Sequence, residues 1–324
     1  MNQHPYRTRL AAACAAATGL LLAACTSPSS MEPPQVDVPT PLPAGIVFDA
    51  DVTASVPDDS CDPLSSYSPG TVTAEQARAT LDNPDVVSIG VSQSTNLMGY
   101  ADPVTNKLTG FDIDIATAVV QALMGDATKV KWVPMTSGER ESALNEDRVD
   151  MVVRTMSITC DRWEKIEFST EYYKAGQRLL VTKDAGIESV TDLTADHHVC
   201  TGETSTSGGN IAAVNDQVKQ VTVPDFNDCL VLLQQGTVDA ISTDDTILAG
   251  MAAQDPTLVI VGETFSVESY GIGFQKDNTD LARFVNGALE DIAAGPTWQA
   301  AYDEWLKVPL GGAEAADRTV QYRD

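Results

Sequence analysis

Strand and helix patterns alternate along the chain from about residue 85, and this alternation constrains the fold more than any other feature of the sequence. Short runs of β-branched and apolar residues predict strands. Between them apolar residues recur at helical spacing, as Ile115, Val119 and Leu123 do. The predicted strands are residues 86–91, 129–133, 149–153, 177–182, 198–201, 218–223 and 238–243, and the predicted helices include residues 228–235, 280–293 and 296–306. This pattern is typical of an α/β fold with mainly parallel sheets.

The N-terminus has the pattern of an export signal. Arg7 and Arg9 precede an apolar run over residues 10–24, which is too short to span a bilayer and is typical of a signal peptide over residues 1–24. The run ends in Leu-Ala-Ala before Cys25, which resembles a bacterial lipobox. We therefore predict that Cys25 is lipidated and begins the mature chain. The alternative is an ordinary signal peptide followed by a chance cysteine.

The segment after Cys25 is rich in proline and has a single aromatic residue, Phe48, before residue 61. Such a segment cannot bury enough apolar surface to offset the entropy of ordering it, and its prolines favour extended conformations. Residues 25–84 are therefore predicted to form a Pro-rich tether, to about Ser60, and an N-terminal extension. A lipid on Cys25 would make this tether the link between a membrane and the folded body.

Charge and motif content exclude several functions. The 20 Lys and Arg residues against 46 Asp and Glu residues give a net charge of −26, so nucleic acid is a poor partner. Neither a P-loop nor a dinucleotide fingerprint is present. Asp112 and Asp114 lack the rest of a calcium-binding loop and are interpreted as carboxylates on the surface or at the start of a helix. We predict a monomer that is not an enzyme and has no cofactor or metal site.

Four cysteines follow Cys25 in the body of the chain, namely Cys61, Cys160, Cys200 and Cys229. An even number of cysteines in an exported protein indicates two disulfides. Four cysteines allow three pairings, and their spacing does not choose among them.

Three polar segments follow predicted strands, where open α/β sheets bind their ligands. Residues 155–162 contain Arg162, which could bind a carboxylate with two hydrogen bonds or form a surface salt bridge. Residues 204–207 open a helix, where free N–H groups bind anions or are simply capped. In residues 242–245, Asp244 either binds a ligand or caps the next helix. The three segments together suit a zwitterion.

Several motifs resemble those of family 3 extracellular solute-binding proteins over roughly residues 86–306. They are GFDIDI at 110–115, SIT-x-x-R at 157–162, FS at 168–169 before YY at 172–173, and YGIG at 270–273. Residues 228–235 and 242–250 are more specifically similar to actinobacterial glutamine/glutamate-binding lipoproteins of ABC importers.

The resemblance implies a two-lobed, type II periplasmic-binding-protein fold with two mixed sheets joined by a two-strand hinge. Lobe 1 would comprise residues 85–173 plus 271–324, and residues 174–270 would form the hinge strands and lobe 2. The chain would cross between lobes near residues 174–176 and 267–270. This division places Cys200 and Cys229 in one lobe, so it predicts a Cys200–Cys229 bridge and with it a Cys61–Cys160 bridge.

The resemblance also implies ligand contacts. Arg162 would bind the α-carboxylate of an amino acid, together with the N–H groups of Ser157 and Thr206. Asp244 would bind the α-ammonium with the Thr155 carbonyl and the Ser157 hydroxyl. The remaining members of the predicted ligand set are Ser205, Thr243, Ser92, Arg140, Tyr100 and Tyr270.

The side chain of the ligand stays open among Glu, Gln, Asp and Asn. Some members stack an aromatic from the segment that here holds Thr136 and Ser137, and others have a lysine in place of Gly202; this chain has neither. Arg140 and Arg154 are candidate partners for a side-chain carboxylate, or else surface arginines. The predicted function is that of a lipid-anchored receptor on the outer face of the cytoplasmic membrane that delivers its amino acid to an ABC permease. The alternative is an amino-acid sensor that signals to a membrane partner.

Overall fold

The computed structural model describes residues 41–324 except 57, 59, 313 and 316. The predicted signal peptide, Cys25 and most of the Pro-rich segment therefore lie outside the described residues. The strands are β1 (Ser65–Ser66), β2 (Val87–Val91), β3 (Ser94–Thr95), β4 (Gly99–Ala101), β5 (Leu108–Thr109), β6 (Val130–Pro134), β7 (Met151–Val152), β8 (Glu167–Phe168), β9 (Tyr173–Thr182), β10 (His198–Gly202), β11 (Lys219–Val223), β12 (Ala240–Asp244), β13 (Leu258–Tyr270), β14 (Gly273–Phe274) and β15 (Gln321–Tyr322). The α-helices are α1 (Ala74–Arg78), α2 (Phe111–Met124), α3 (Arg140–Asn145), α4 (Cys160–Trp163), α5 (Thr206–Val214), α6 (Phe226–Gln234), α7 (Asp245–Ala252), α8 (Thr279–Ala294) and α9 (Pro296–Trp305).

Two five-stranded mixed sheets form the frame of the fold. In the first, with the order β6-β2-β7-β14-β8, β2 runs parallel to β6 and β7, whereas β14 is antiparallel to β7 and β8. In the second, with the order β11-β10-β12-β9-β13, β10 runs parallel to β11 and β12, whereas β9 is antiparallel to β12 and β13. The predicted α/β fold with two mixed sheets is confirmed.

The helical face predicted from Ile115, Val119 and Leu123 is fully buried in the core that α2 shares with α8 and α9. Helix α2 starts after Gly110, whose φ of 126° suits glycine, and a Cβ there would lie 2.4 Å from the Met98 carbonyl oxygen. This tight start fixes the first residues of α2, among them Asp112, which accepts a hydrogen bond from the Thr155 N–H.

Strands β9 and β13 form the link between the two lobes. The segments predicted to cross between lobes pair with each other, with Lys174 opposite Ser269 and Gly176 opposite Val267. At one end of the pair, Tyr173 and Tyr270 belong to the core of the first lobe. Farther along β9, Leu180 belongs to a core of the second lobe. An antiparallel pair of strands therefore serves as the hinge.

Both predicted disulfides are present. Cys200 on β10 is bonded to Cys229 on α6, with 5.6 Å between their Cα atoms, and the bond lies within the second lobe. Cys61 is bonded to Cys160 at the start of α4, with 5.9 Å between their Cα atoms.

The prediction of a tether is wrong for residues 46–55. Val47 forms an antiparallel bridge with Thr222 on the edge strand β11. The N–H of Ala50 donates to the Gln220 carbonyl over 2.9 Å, and Ser55 N–H donates to a carbonyl of α5 over 2.8 Å. Backbone hydrogen bonds to an unpaired sheet edge supply the order that the apolar content of this segment could not.

Residues 61–84, predicted as an N-terminal extension, are folded onto the first lobe. Ala77 and Leu81 are buried in its core, and β1 pairs in parallel with β15 near the C-terminus. Ser55 thus contacts the second lobe, whereas Cys61 is bonded to the first. Across the described residues, no helix is both long enough and apolar enough to cross a bilayer.

Candidate ligand-binding site

A narrow cavity lies between the two lobes, and eight of the predicted ligand residues line it. Its free volume is about 10 Å³, which is room for about one water molecule. The lining residues are Ser137, Arg140, Thr155, Ser157, Arg162, Ser205, Thr206, Ser207, Phe226, Thr243, Asp244 and Ile247. Because this volume is too small for an amino acid, a ligand of that size could enter only if the lobes moved apart.

Arg162, on the short helix α4, is buried, with 6% of its surface exposed. Its Nη1 donates to the Ser157 carbonyl over 2.7 Å, and its Nη2 reaches across to the Thr204 carbonyl of lobe 2 over 3.1 Å. An ion pair with Glu141 at 3.5 Å is present, but burial lowers the pKa of Arg162. Arg162 is therefore a buried residue and not the arginine of a surface salt bridge, since its guanidinium lines a closed cavity.

Arg140 and Arg154 are not surface arginines either, with 4% and 2% of their surfaces exposed. Arg140 Nε donates to the Ser137 carbonyl over 2.8 Å, and its Nη1 lies 3.3 Å from the Arg154 carbonyl. Arg154 Nη1 donates to the Ser137 hydroxyl over 2.7 Å. Within the described part of the chain, neither arginine has a carboxylate oxygen within 4.0 Å.

These two arginines differ in their access to the cavity. Arg140 lines it, whereas Arg154 lies behind it. Burial lowers the pKa of Arg140 well below its usual value, and the charges of Arg162 and Arg154 lower it further. A second anionic group in the cavity would relieve this repulsion.

Thr155 is held in an unusual backbone conformation by Asp112. Its φ of 38° is strained for a β-branched residue, and its N–H donates to Asp112 Oδ2 over 2.9 Å. The other carboxylate oxygen accepts from the Tyr172 hydroxyl over 2.7 Å. Asp112 is the second residue of α2, as the helix-start interpretation expected, but it is 1% exposed, so the surface alternative is wrong. Burial raises its pKa to about 6.

Asp244 supplies a buried negative charge from lobe 2. It sits at the end of β12, yet its side chain makes no capping hydrogen bond to α7. Its Oδ2 accepts from the Tyr270 hydroxyl over 2.6 Å, and its Oδ1 is buried without a hydrogen-bond partner among the residues described. Burial and the nearby charge of Glu268 raise its pKa well above the usual range. An ammonium donor would complete the hydrogen bonding of this carboxylate.

The hydroxyl groups at the start of α5 do not cap that helix. Ser205 occupies the N-cap position without a side-chain capping bond, and its hydroxyl donates to the Gly202 carbonyl over 2.6 Å. Thr206 Oγ1 donates instead to Glu268 over 2.7 Å. The capping alternative therefore fails for these side chains, and Ser205, Thr206 and Ser207 line the cavity.

Glu268 is a residue that the sequence reasoning missed. It lies on the hinge strand β13, is 3% exposed, and its Oε2 accepts from Ser157 of lobe 1 over 2.5 Å. The same oxygen accepts from Thr206 of lobe 2, and Oε1 accepts from Asn210 over 2.6 Å. Nothing local in the sequence marks this glutamate, because only the pairing of the hinge strands buries it.

Three predicted ligand residues lie outside the lining. The Ser92 hydroxyl bonds Thr95 Oγ1 at 2.9 Å, and Tyr100 lies half-buried on β4. Tyr270 is fully buried behind Asp244. Four lining residues were not predicted as ligand contacts: Ser137, Ser207, Phe226 and Ile247.

Phe226 fills the space next to Gly202. A Cβ on Gly202 would lie 2.6 Å from the end of the Phe226 ring. An aromatic side chain from lobe 2 therefore occupies room that a larger residue at position 202 would need. Phe226 thus gives the cavity an aromatic lining residue, although the segment at Thr136 and Ser137 carries no aromatic.

Comparisons with known proteins agree with this fold and site. Residues 87–308 match the model for bacterial extracellular solute-binding proteins, family 3. The chain is 33% identical over 229 residues to the ABC transporter glutamine-binding protein GlnH of Bacillus subtilis, covering 71% of this chain and 84% of that protein. It is 32% identical over 239 residues to the glutamate-binding protein GluB of Corynebacterium glutamicum, covering 70% and 80%.

A solved structure is similar as well. An ancestral arginine-binding protein bound to glutamine has a TM-score of 0.64 and 33% sequence identity, covering 68% of this chain and 98% of that one. The chain belongs to the bacterial extracellular solute-binding proteins, family 3. The predicted resemblance and the type II two-lobed fold are confirmed, and so is the prediction of a binding protein rather than an enzyme, because the family and these relatives are binding proteins.

Proposed function

We propose that this protein is an extracytoplasmic receptor that closes its two lobes on an acidic amino acid, with glutamate as the leading ligand. The observation that carries the proposal is the division of charge in the cavity. Arg162 and Arg140 line it from lobe 1, and Asp244 lines it from lobe 2 with one oxygen lacking a partner among the described residues. An α-amino acid has the matching pair of charges.

The roles follow from the donors and acceptors available. The Arg162 guanidinium would bind the α-carboxylate with the N–H groups of Ser157 and Thr206. Asp244 would bind the α-ammonium, assisted by the Thr155 carbonyl. Low local polarity in the closed cleft strengthens such charge-assisted bonds.

The surroundings of Arg140 favour a ligand with an acidic side chain over a ligand with an amide side chain. It is buried and lines the cavity, and no described carboxylate lies within 4.0 Å of it. A buried guanidinium that makes no direct ion pair is costly, even with Glu141 and Asp244 in the surroundings. A second carboxylate on the ligand would form that ion pair, whereas the amide of glutamine would supply only a hydrogen-bond acceptor.

The test compares glutamate with glutamine on the wild type and on Arg140→Ala. A thermal-shift panel of the twenty amino acids first identifies ligands, since a ligand at one hundred times its Kd should add about 2.7 kcal/mol to stability. Calorimetry should then show that Arg140→Ala weakens glutamate binding by roughly 10- to 150-fold. This range corresponds to the loss of about 1.5–3 kcal/mol, the usual contribution of a hydrogen bond to a charged group. Glutamine binding should change much less.

Arg148→Ala is the matched control, because Arg148 is a half-exposed arginine of the same lobe that pairs with Glu139 and Glu146. It should bind both ligands as the wild type does. Equal losses for glutamate and glutamine in Arg140→Ala would contradict the acidic preference. A panel in which no amino acid binds would overturn the receptor proposal.

The proposal includes a lipid anchor and a permease partner. The lipobox-like Leu-Ala-Ala-Cys at residues 22–25 supports the anchor, and similarity to an ABC transporter binding protein supports delivery to a membrane permease. Cys25→Ser should move the protein from the membrane fraction to the medium, or leave it as unprocessed precursor. Equal membrane partitioning of mutant and wild type in a fractionation experiment would refute the anchor.

A further inference from the structure

The two lobes also meet directly outside the ligand cavity. At this second contact, Ser94 Oγ donates to Asp225 Oδ2 over 2.7 Å, and Asn227 Nδ2 donates to the Ser94 carbonyl over 2.6 Å. Asn96 Nδ2 donates to the Gly250 carbonyl over 3.1 Å. Ser94 lies on β3 and Asn96 in the turn that follows it, both in lobe 1, and their partners lie at the start of α6 and on α7 of lobe 2. We call these five residues the rim contact; none of them is among the residues lining the cavity.

The approach at Gly250 leaves no room for a side chain. A Cβ there would lie 2.2 Å from the Asn96 carbonyl oxygen and 3.0 Å from the Asn96 carbonyl carbon. Both are backbone atoms, so no side-chain rotation could relieve the overlap. Gly250 lies inside α7 and its φ is not positive. Alanine would therefore suit the helix itself better than glycine, because it has the higher helix propensity.

Helix α7 connects the rim contact to the ligand cavity. It begins directly after Asp244, and Gly250 follows six residues later along the helix, a distance of about 9 Å at 1.5 Å per residue. The helix thus joins the carboxylate proposed for the ammonium, at its N-cap position, to the residue that touches the other lobe. When the lobes separate to admit a ligand, the rim contact must break, and when they close it must form again.

We infer that the rim contact sets how far the lobes close, and that Gly250 and Asn96 are positioning residues for ligand binding. Their close approach lets Asp244 of lobe 2 and Arg162 of lobe 1 reach the same ligand together. The inference rests on the proposed function, because it concerns closure around a bound amino acid. It has a distinctive consequence: a change at Gly250 should weaken every ligand by the same factor, unlike a change at Arg140.

The experiment measures binding and shape in Gly250→Ala. Calorimetry with glutamate and glutamine should show both affinities reduced about tenfold or more, with the ratio between them unchanged. The thermal midpoint of the ligand-free variant should equal or exceed that of the wild type, since the helix gains a better residue and the overlap arises only on closure. Small-angle X-ray scattering should show less compaction at saturating ligand than in the wild type.

Two further variants complete the design. Gly287→Ala is the control, because Gly287 lies in α8, where a Cβ would be 3.3 Å from the Pro69 side chain; it should bind ligands as the wild type does. Asn227→Ala removes one bond of the rim contact without adding bulk. It should weaken binding severalfold, mainly through faster dissociation in stopped-flow measurements.

The possible results distinguish a failure of this inference from a failure of the proposed function. Wild-type affinity in Gly250→Ala would overturn the inference while the proposed function stands. A lowered thermal midpoint in ligand-free Gly250→Ala would also overturn it, because the overlap would then be present without closure. If the wild type itself binds no amino acid, both the proposed function and the inference fail.

Discussion

The two walls of the cavity hold their buried charges in different ways. The guanidinium groups of Arg140, Arg154 and Arg162 on lobe 1 donate mostly to backbone carbonyls and one hydroxyl. Glu268, which lies on the hinge strand β13 and is not among the lining residues, accepts four hydrogen bonds from neutral side chains. On the opposite wall, Asp244 accepts from Tyr270 and keeps one oxygen without a hydrogen bond within the described chain. Apart from the Arg162–Glu141 pair, neutral dipoles rather than opposite charges solvate both walls.

The use of neutral hydrogen-bond partners explains how the site can stay folded and still favour a charged ligand. A buried charge is costly unless it is hydrogen-bonded, and neutral donors or acceptors meet that need without neutralising it. Two arginines, Arg140 and Arg162, line the cavity, whereas among the residues that the structure describes Asp244 is the only lining carboxylate. The negative wall should therefore tolerate substitution less well than the positive wall.

The largest effect should come from removing one charge from either wall. A truncated partner leaves the ligand's charge buried and unpaired, at a cost of roughly 2–5 kcal/mol. At about 1.4 kcal/mol per tenfold, Arg162→Ala and Asp244→Ala should weaken binding by some thirty- to several-thousandfold. We expect Asp244→Ala at the upper end, because Arg140 remains near the ligand when Arg162 is lost.

Calorimetry on the two variants measures this asymmetry, and circular dichroism checks that each is folded. Arg148→Ala again serves as the arginine control. Near-wild-type affinity in folded Arg162→Ala would reduce that arginine to a structural partner of Glu141. A larger loss of affinity in Arg162→Ala than in Asp244→Ala would contradict the idea that Arg140 partly replaces Arg162.

Features encoded by local patterns could be predicted from the sequence. Seven of the ten strands of the two sheets (β2, β6, β7, β9, β10, β11 and β12) were predicted because β-branched runs alternate with helical periodicity, whereas β8, β13 and β14 were not. The pairing of Cys200 with Cys229 followed from the lobes that the resemblance implies. Arg162 and Asp244, which line the cavity, were predicted as ligand contacts because each follows a strand at the edge where open α/β sheets bind ligands.

Features that depend on distant packing could not be predicted. Phe226 shares the apolar spacing of Leu230 and Leu233, so in sequence it looks like an ordinary core residue of α6. Glu268 is buried only by the pairing of β9 with β13 and by hydroxyls from both lobes. Residues 46–55 have the composition of a tether, and their backbone partners come from the distant edge strand β11 and helix α5.

The smallest expected effect concerns Asp112, the carboxylate behind the positive wall that holds Thr155 in place. Its pKa is raised to about 6 in the folded protein by burial, against the opposing influence of Tyr172, Thr155 and Arg154. A carboxyl whose pKa is higher in the folded than in the unfolded state favours folding while it is protonated. Its contribution is therefore fully present below about pH 4 and is lost as the pH rises through about 6.

Asp112→Asn should remove this dependence, since an amide keeps the size of the side chain and one acceptor for the Thr155 N–H. Between pH 4 and 7 the free energy of unfolding of the variant should rise relative to the wild type by at most about 3 kcal/mol, the worth of roughly two pKa units. Urea denaturation across this pH range measures the difference and cancels the pH dependence of other buried carboxyls such as Asp244. If the difference in unfolding free energy between variant and wild type is constant across this pH range, Asp112 does not titrate there. If the wild type instead gains stability relative to the variant as the pH rises, the positive wall stabilises the ionised form of Asp112.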